Sequence, residues 1–196
     1  MALPRLIGLT GAAGAGKDTV ADWMYVVYRV HRYSFATPIK AMTVALLQAA
    51  GTPLYDCKKI VADPIRKNEP LPQLNGLTPR RIMQTLGTEW GRETLGADVW
   101  LTMLGRRLEK NLAARNFRLP MVVTDARFPN EAEMIRLLGG TMIRVVRPTT
   151  ITDRTDAAHP SETQDFPVDI TIENNGTISD LNRKLLKLFP VAVKLP

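Results

Sequence analysis

The sequence predicts an α/β fold in which helices cover both faces of a parallel sheet. Two short apolar runs, "RLIGLT" at 5–10 and "LPMVVTD" at 119–125, have the length and composition of buried strands. Stretches with apolar residues at helical spacing alternate with such runs along the chain. Polar or glycine-rich residues follow both runs directly. Since ligands of such folds bind at the carboxyl ends of the strands, we expect the functional site there.

The first part of the chain contains two predicted strands and two predicted helices. The run at 5–10 is a strand that ends at glycines, and "RYSFA" is a short second strand. Lys17 to about Arg29 forms a helix, and Pro38 to Ala50 forms another that ends at the following glycine and proline. The apolar stripe of the first helix consists of Val20, Trp23, Met24 and Val27.

The middle of the chain is less regular. Residues 51–77 are proline-rich with mixed charge and weak periodicity, so we interpret them as an inserted, partly irregular segment. Thr78 and Pro79 have the composition of a helix start, and this helix continues to about Leu95. A further helix is predicted from Asp98 to about Arg115.

The remainder continues the alternation of strands and helices. The run at 119–125 is a strand, Pro129 opens a helix that Gly139 and Gly140 close, and "TMIRVV" is the next strand. Residues 148–167 are polar and turn-rich, which is typical of a loop or lid. "VDITIEN" is the last strand, and the final helix is marked by Ile178, Leu181, Leu185 and Leu188.

Composition limits the classes of function. The chain has 196 residues, which suits a single domain over 1–196, and its formal charge of +7 indicates an anionic partner. No Lys/Arg block typical of a nucleic-acid-binding arm is present, and no apolar run has the roughly 20 residues of a membrane span. The first apolar run is too short for a secretion signal. The single cysteine, Cys57, fits a reducing cytoplasm, and only two histidines accompany it, which disfavours a zinc site.

The strongest motif is "GLTGAAGAGKDT", between the first strand and the first helix. Its glycines allow backbone N–H groups to turn toward phosphate, and the helix N-terminus favours negative charge. Lys17 can reach the β- and γ-phosphates of a nucleotide. An exposed glycine turn is the alternative, but the position between strand and helix favours a P-loop. The predicted phosphate-binding residues are Gly11, Ala12, Ala13, Gly14, Ala15, Gly16, Lys17, Asp18 and Thr19.

Asp18 stands where a P-loop usually has Ser or Thr, whose hydroxyl contacts Mg²⁺. A carboxylate is a suitable Mg²⁺ ligand, directly or through water, so we predict that Asp18 contacts the metal. Thr19 offers a hydroxyl, but one residue further along a helix it points about 100° away. The alternative is that Asp18 only complements the helix dipole.

"VVTDARFPNE" is the second motif. Asp125 ends a strand, as a Walker-B-type aspartate does, and is predicted to approach the metal. Ala126 occupies the position where hydrolases often carry a water-activating Glu, which favours transfer to a bound acceptor. Arg127 can clamp phosphate with two hydrogen bonds. Capping of the next helix is a sufficient role for Asn130 and Glu131.

The predicted helix after Pro79 is asymmetric. At about 100° per residue, one face contains Ile82, Met83, Leu86 and Trp90, and the other contains Arg81, Gln84, Thr88 and Arg92. The polar face suits a monophosphate and a base edge, although a solvated face explains it equally well. Gly87 and Gly91 each cost about 1 kcal/mol relative to Ala, which indicates a close approach to the backbone or a break in the helix.

Six stretches, taken together, resemble the deoxynucleoside monophosphate kinases encoded by bacteriophages. They are "GAAGAGKDT", "YSFATPIK", "RRIMQTLGTEWGRE", "VVTDARFPNEAEMI", "HPSE" and "ENNGT", in the family's order over nearly the whole chain. "GKDT" is usual in that family, so the resemblance implies that Asp18 is native to the site. Residues 51–77 resemble the family least.

The resemblance implies transfer of the γ-phosphate of ATP, with Mg²⁺, to a deoxynucleoside 5′-monophosphate. It implies a three-layer P-loop NTPase fold with an acceptor-binding region at 51–97 and a lid at 148–167. Phosphate contacts are implied for Arg81, Arg92 and Arg127, and acceptor contacts for Gln84 and Trp90. Arg147 and Arg154 belong to the implied lid, and Asn174, Asn175 and Gly176 to the surroundings of the adenine.

Two other functions remain open from sequence. Another small-molecule P-loop kinase, acting on phosphomevalonate or dephospho-coenzyme A, shares the loop chemistry. A nucleic-acid-binding ATPase would use the basic charge, but Ala126 and the scattered cations speak against it. We expect a small-molecule partner without nucleic acid or membrane, in the cytoplasm (the host's, if the protein is phage-encoded). A homodimer is left open.

Overall fold

A parallel sheet organises the computed structural model, which describes residues 2–115, 118–148 and 166–191. In those residues the sheet has five strands, β1 (Leu6–Thr10), β2 (His31–Tyr33), β3 (Met121–Val123), β4 (Thr141–Val146) and β5 (Ile170–Glu173). Their order is β2-β3-β1-β4-β5, and each neighbouring pair is parallel. The predicted parallel α/β sheet is therefore confirmed.

The order of the strands reverses at β1. Ile7 of β1 pairs with Val122 of β3 on one side and with Thr141 of β4 on the other. β2 and β3 therefore lie on one side of β1, and β4 and β5 lie on the other. Ligands of open parallel sheets bind in the crevice outside the carboxyl ends of the strands at such a reversal. The residues after Thr10 are therefore the expected site.

The chain divides into two compact units, residues 1–34 with 104–196, and residues 35–103. In the first unit, α1 (Lys17–Tyr28) and α7 (Ile178–Leu188) share a hydrophobic core with one face of the sheet. α6 (Pro129–Leu137) lies on the opposite face, where its Ile135 packs against Gly8 of β1. Helices thus cover both faces, as the alternating sequence pattern predicts.

The second unit is helical and has its own core. It contains α2 (Thr37–Ala49), α3 (Leu54–Ala62), two 3₁₀ turns (Arg66–Asn68 and Pro72–Leu74), α4 (Pro79–Gln84) and a π-helix (Thr85–Leu95). α5 (Val99–Ala113) begins in this unit and continues into the first. The core residues are Leu47, Cys57, Val61, Leu71 and Ile82. The sequence did not predict α3, whose buried Cys57 and Val61 lie one turn apart.

The π-helix corrects the predicted faces of the segment after Pro79. The α-helix ends at Gln84, and residues 85–95 follow with i→i+5 hydrogen bonding. A π-helix turns by less than the 100° per residue of an α-helix, so side-chain directions drift from the predicted pattern. Thr88, from the predicted polar face, is buried at 8% exposure, and Trp90, from the predicted apolar face, is 41% exposed.

A close approach to the backbone explains Gly87 and Gly91. A Cβ atom at Gly87 would lie 3.0 Å from Cδ1 of Ile39 on α2, which is a tight contact. The indole N–H of Trp100, which is buried at the start of α5, also donates to the carbonyl of Gly87 at 2.8 Å. A methyl group at Gly91 would overlap the indole ring of the same tryptophan. Of the two alternatives predicted for these glycines, the structure shows close packing by another helix.

Local chemistry sets the ends of the helices. The Thr78 hydroxyl caps α4 by accepting from the backbone N–H of Arg81 at 3.1 Å. The Thr177 hydroxyl caps α7 by accepting from the backbone N–H of Asp180. Gly139 follows α6 in a left-handed conformation, as the predicted closing glycine does. None of the helices in the described residues is long and apolar enough to cross a membrane.

Candidate active site

The glycine loop at 11–16 joins β1 to α1 at the point where the sheet order reverses. Gly11 and Gly16 have φ angles of 137° and 105°, which L side chains rarely adopt. A Cβ atom at Gly11 would overlap the carbonyl oxygen of Val145 on β4, and one at Gly16 would overlap the amide of Asn174. The tight fit of the loop against β4 and the end of β5 therefore requires glycine at both positions.

Lys17 is the first residue of α1 and turns back over the loop. Its ammonium donates to the carbonyl oxygens of Gly11 at 2.5 Å and Ala12 at 2.9 Å. The backbone N–H of Ala15 also donates to Ala12, at 3.1 Å, which closes the turn. These contacts place a cation and a helix N-terminus at the same loop, an arrangement that attracts phosphate.

A pocket of about 350 Å³ opens beside this loop. The loop and the first turn of α1 form one side, and the ends of β4 and β5 with the start of α7 form the other. The predicted residues Lys17, Asp18 and Thr19 therefore lie in one pocket with Arg147. The lining residues are Gly14, Gly16, Lys17, Asp18, Thr19, Arg147, Asn174, Gly176, Ile178 and Leu181.

Asn174 supports the loop from the end of β5. Its side-chain amide donates to the carbonyl of Ala15 at 2.9 Å, its backbone N–H donates to Val146 at 2.7 Å, and the residue is buried. Its neighbours Asn175 and Gly176 are exposed and line a wider depression of about 420 Å³. Sequence reasoning placed all three beside the adenine and did not predict the supporting contact of Asn174.

Asp180 lines that depression and belongs to the cap of α7. The Thr177 hydroxyl and backbone N–H donate to its carboxylate at 2.7 and 3.0 Å. These hydrogen bonds, the hydroxyl first, lower the pKa of Asp180 below its ordinary value. A carboxylate therefore persists there at neutral pH, and it orders the start of the helix that borders the pocket.

Asp18 lies at the open edge of the pocket, in the first turn of α1. Its side chain is 85% exposed, and one carboxylate oxygen lies 3.4 Å from a guanidinium nitrogen of Arg32 on β2. Arg32 also pairs with Asp22, one helical turn further along α1. Two carboxylates of α1 therefore share one arginine, which relieves the repulsion between like charges four residues apart.

Asp125 follows β3 and is held by a hydroxyl. Oγ of Ser34 donates to Oδ2 of Asp125 at 2.7 Å, across the ends of two adjacent strands. Sequence reasoning did not select Ser34. This serine lies in the middle of the predicted strand "RYSFA", and selecting it requires knowing that β2 ends at Tyr33 and lies beside β3.

Arg127 lies in the turn between β3 and α6, and Glu131 fixes that turn. The Glu131 carboxylate accepts from the backbone N–H groups of Arg127 at 2.6 Å and Phe128 at 3.1 Å, and Glu131 is only 2% exposed. Capping of α6, the role predicted for Glu131, is confirmed. The same contacts determine where the backbone of Arg127 lies.

Of the five predicted substrate residues, Arg127 lies in the first unit and the other four lie in the second, on α4 and the π-helix. Arg81 pairs with Glu89 at 3.2 Å, and Arg92 donates to the carbonyl of Ala97 at 2.8 Å. Nε2 of Gln84 is buried and has no hydrogen-bond partner among the described residues. The segment at 51–97 therefore contains two arginines with fixed partners and a buried side-chain amide. Trp90, in the same segment, is exposed.

The structure describes only part of the predicted lid at 148–167. Arg147 lies at the end of β4, exposed, and lines the pocket. Arg154 and the remainder of the lid between 149 and 165 lie outside the described residues.

The geometry suits chemistry on phosphate groups. A helix N-terminus, the Lys17 ammonium and Arg147 supply positive charge around one pocket, and the Asp18 carboxylate lies at its edge. Among the described residues, no cluster of three or more His, Cys, Asp or Glu side chains forms a metal site by itself. Mg²⁺ in such sites is usually held by one or two carboxylates together with substrate phosphates.

The glycine loop, its lysine and the strand order are those of the P-loop kinase fold. The chain belongs to the deoxynucleotide monophosphate kinase family, whose family model matches residues 54–185, more than half of its length. It is therefore a phosphotransferase that uses a nucleotide. The resemblance that the sequence motifs indicate is confirmed.

Individual relatives agree with this assignment. A protein of Acanthamoeba polyphaga mimivirus named as a deoxynucleotide monophosphate kinase is 31% identical, with 92% of this chain and 94% of that protein aligned. The deoxynucleoside-5′-monophosphate kinase of Escherichia phage T5 is 26% identical over 67% of this chain and 71% of that protein. The crystal structure of TT1252 from Thermus thermophilus has a TM-score of 0.50 and 18% identity, covering 95% and 96% of the two chains, and supports the fold alone.

Proposed function

We propose that this protein transfers the γ-phosphate of ATP to a deoxynucleoside 5′-monophosphate and releases the diphosphate. One observation carries the proposal, namely the glycine loop at the reversal point of the sheet with the Lys17 ammonium folded onto it. Membership of the deoxynucleotide monophosphate kinase family and the names of the viral relatives support the choice of acceptor.

The donor nucleotide binds in the pocket beside the loop. Backbone N–H groups of residues 11–19 hold its phosphates, and the Lys17 ammonium exchanges the loop carbonyls for the β- and γ-phosphates. Arg147, and Arg154 of the lid, contribute further positive charge. Asn175 and Gly176 border the adenine, while Asn174 keeps the loop in shape through its contact with Ala15.

Two carboxylates, one at the pocket edge and one at the end of β3, have the donor chemistry that fits Mg²⁺. Asp18 is a solvent-open carboxylate at the pocket edge, and Asp125 is a carboxylate with a hydroxyl donor fixed on it. Hard oxygen ligands of this kind are those that Mg²⁺ prefers. Asp18 and Asp125 would hold the ion, which would supply positive charge that neutralises the γ-phosphate. Asp18 is open to contact it directly or through water.

The acceptor binds to the second unit. Arg81 and Arg92 bind the acceptor phosphate, and Trp90 packs against the base. Nε2 of Gln84 supports this assignment, because buried donors without a partner are uncommon and a base edge offers acceptors. Arg81 is held by Glu89 and Arg92 by Ala97, so both guanidinium groups have restricted positions.

Transfer is a direct displacement. A phosphate oxygen of the acceptor attacks the γ-phosphorus of ATP, and the bond to the β–γ bridging oxygen breaks with its electron pair leaving on ADP. Lys17 and Arg127 neutralise charge on the transferring group. Ala126, which is buried, provides no side chain to activate water, so the γ-phosphate passes to the acceptor instead.

A panel of acceptors with radiolabelled ATP tests the proposal. The four common deoxynucleoside monophosphates, their ribose counterparts, phosphomevalonate and dephospho-coenzyme A are compared by the formation of labelled product. We expect label in at least one deoxynucleoside diphosphate and none in the last two compounds. Lys17→Ala should reduce the rate by roughly a hundredfold or more, since a lost charge contact in the transition state typically has that effect.

The control is Lys110→Ala, which removes an exposed lysine from α5 and should retain full activity. Circular dichroism of both variants checks that they are folded. Transfer to none of the deoxynucleoside monophosphates would refute the choice of acceptor. ATP hydrolysis that only DNA stimulates would favour a nucleic-acid-dependent ATPase, and full turnover by Lys17→Ala would refute the role of the loop.

A further inference from the structure

The hydroxyl of Ser34 donates a hydrogen bond to the carboxylate of Asp125, a predicted metal ligand. Ser34 is the first residue after β2, and β2 is the edge strand beside β3. The backbone N–H of Thr124 donates to the carbonyl of Tyr33 at 3.0 Å, so the pairing of the two strands continues to their ends. This pairing brings Oγ of Ser34 to 2.7 Å from Oδ2 of Asp125.

The loop itself lacks the usual hydroxyl. In the common P-loop pattern the residue after the lysine is Ser or Thr and its hydroxyl serves the metal centre, but here that residue is Asp18. The nearest hydroxyl along the helix, that of Thr19, points about 100° away from position 18. Ser34 offers a hydroxyl to the other predicted metal carboxylate from a different strand.

We propose that Ser34 is a positioning residue of the magnesium centre, which fixes the carboxylate of Asp125 toward the nucleotide-bound ion. The inference depends on the proposed function, because it assumes that Mg²⁺ accompanies ATP at this site. Groups that hydrogen-bond a metal ligand orient it, and their loss typically weakens metal affinity 10–100-fold. Ser34 acts through Asp125 and needs no contact of its own with the ion.

A purely structural role would be to join β2 to β3. The backbone already provides that connection, because His31, Arg32 and Tyr33 are all in register with Met121, Val122 and Val123. The hydroxyl is therefore not needed for pairing of the strands. Its removal should affect the metal more than the fold.

Metal binding gives a direct test in the full-length protein. Mn²⁺ is titrated into protein that carries a non-hydrolysable ATP analogue, and free Mn²⁺ is followed by electron paramagnetic resonance. Affinity for the analogue without metal is measured separately by calorimetry. We expect Ser34→Ala to weaken Mn²⁺ binding about tenfold and to leave metal-free affinity unchanged. Ser34→Thr, which keeps the hydroxyl, should restore most of the loss.

Two further variants sharpen the result. Ser179→Ala removes an exposed hydroxyl from α7 and should leave Mn²⁺ affinity unchanged. In the background of Asp125→Asn, Ser34→Ala should have little additional effect, since the two residues act as a pair. Unchanged Mn²⁺ affinity in Ser34→Ala would overturn the inference, as would an equal loss of metal-free affinity. Absence of Mn²⁺ binding in the parent protein would instead reject the proposed function.

Discussion

At the residue scale, Asp18 and Asp22 form a natural comparison. Both carboxylates lie on the exposed side of α1, one turn apart, and both pair with Arg32. Only Asp18 lines the pocket beside the glycine loop. The two residues therefore share charge, exposure and partner, and differ in their access to the nucleotide phosphates.

This difference gives a prediction for the metal requirement. Asp18→Asn should raise the Mg²⁺ concentration needed for half-maximal activity by about tenfold, because an amide is a weaker ligand for a hard cation. Asp22→Asn removes the same charge from the same arginine and should leave the Mg²⁺ titration unchanged. The measurement is the initial rate at fixed ATP with increasing Mg²⁺. Equal shifts in both variants would show that Asp18 acts only through surface charge.

The residues of the candidate site differ in how much of their role can be predicted from the sequence. Lys17 and the glycines could be predicted because their chemistry lies within one short stretch. Glu131 could be predicted as a cap, yet its effect on the backbone of Arg127 depends on a buried geometry. Ser34 and Asp125 are 91 positions apart in sequence, so their contact follows only from the strand order.

At the element scale, the π-helix from Thr85 to Leu95 is the clearest departure from expectation. A period of 3.6 residues assigns each side chain a face, and this assignment is wrong after Gln84 because the hydrogen-bond pattern changes there. Packing accompanies this change in the helix. The indole of Trp100 donates to the carbonyl of Gly87 and lies against Gly91. Local periodicity contains no information about a tryptophan on the next helix.

Packing against Trp100 gives a prediction for stability. In Gly91→Ala the added methyl group would overlap the indole, and overpacking of this kind costs about 1–3 kcal/mol. The usual gain of about 1 kcal/mol for alanine in a helix does not offset the larger values in this range. We therefore expect a lower free energy of unfolding in urea and a higher KM for the acceptor.

Gly105→Ala in α5 is the matched control. A methyl group there would lie 3.5 Å from the sulfur of Met134, an ordinary contact. This variant should be neutral or more stable by up to about 1 kcal/mol, with an unchanged KM. If Gly91→Ala behaves in the same way as this control, close packing by Trp100 is not the reason for the glycine.

α3 is a second element that the sequence pattern did not predict. Prolines at positions 53 and 64 bound the segment, and its composition is mixed in charge, which is typical of irregular chain. The helix nevertheless forms from Leu54 to Ala62 because Cys57 and Val61 are buried in the core of the second unit. Tertiary burial determined the structure where periodicity was weak.

At the scale of the whole molecule, the two units correspond to the two proposed ligands. The first unit contains the glycine loop, Asn174 and the pocket of about 350 Å³, and the second contains α4 and the π-helix. Each unit has a hydrophobic core of its own. The net charge of +7 favours the approach of both phosphorylated ligands.

Hydrogen exchange followed by mass spectrometry can locate each ligand separately. A non-hydrolysable ATP analogue should slow exchange of backbone amides at residues 11–19 and 174–176, because bound ligands suppress local opening. A deoxynucleoside monophosphate that the panel identifies as an acceptor should slow exchange at residues 79–95. In Lys17→Ala the first effect should weaken strongly while the second persists, because the substitution removes a contact to the donor phosphates only. Slowed exchange at 79–95 with the ATP analogue alone, and none at 11–19, would mean that the donor binds to the second unit and that the glycine loop has another role.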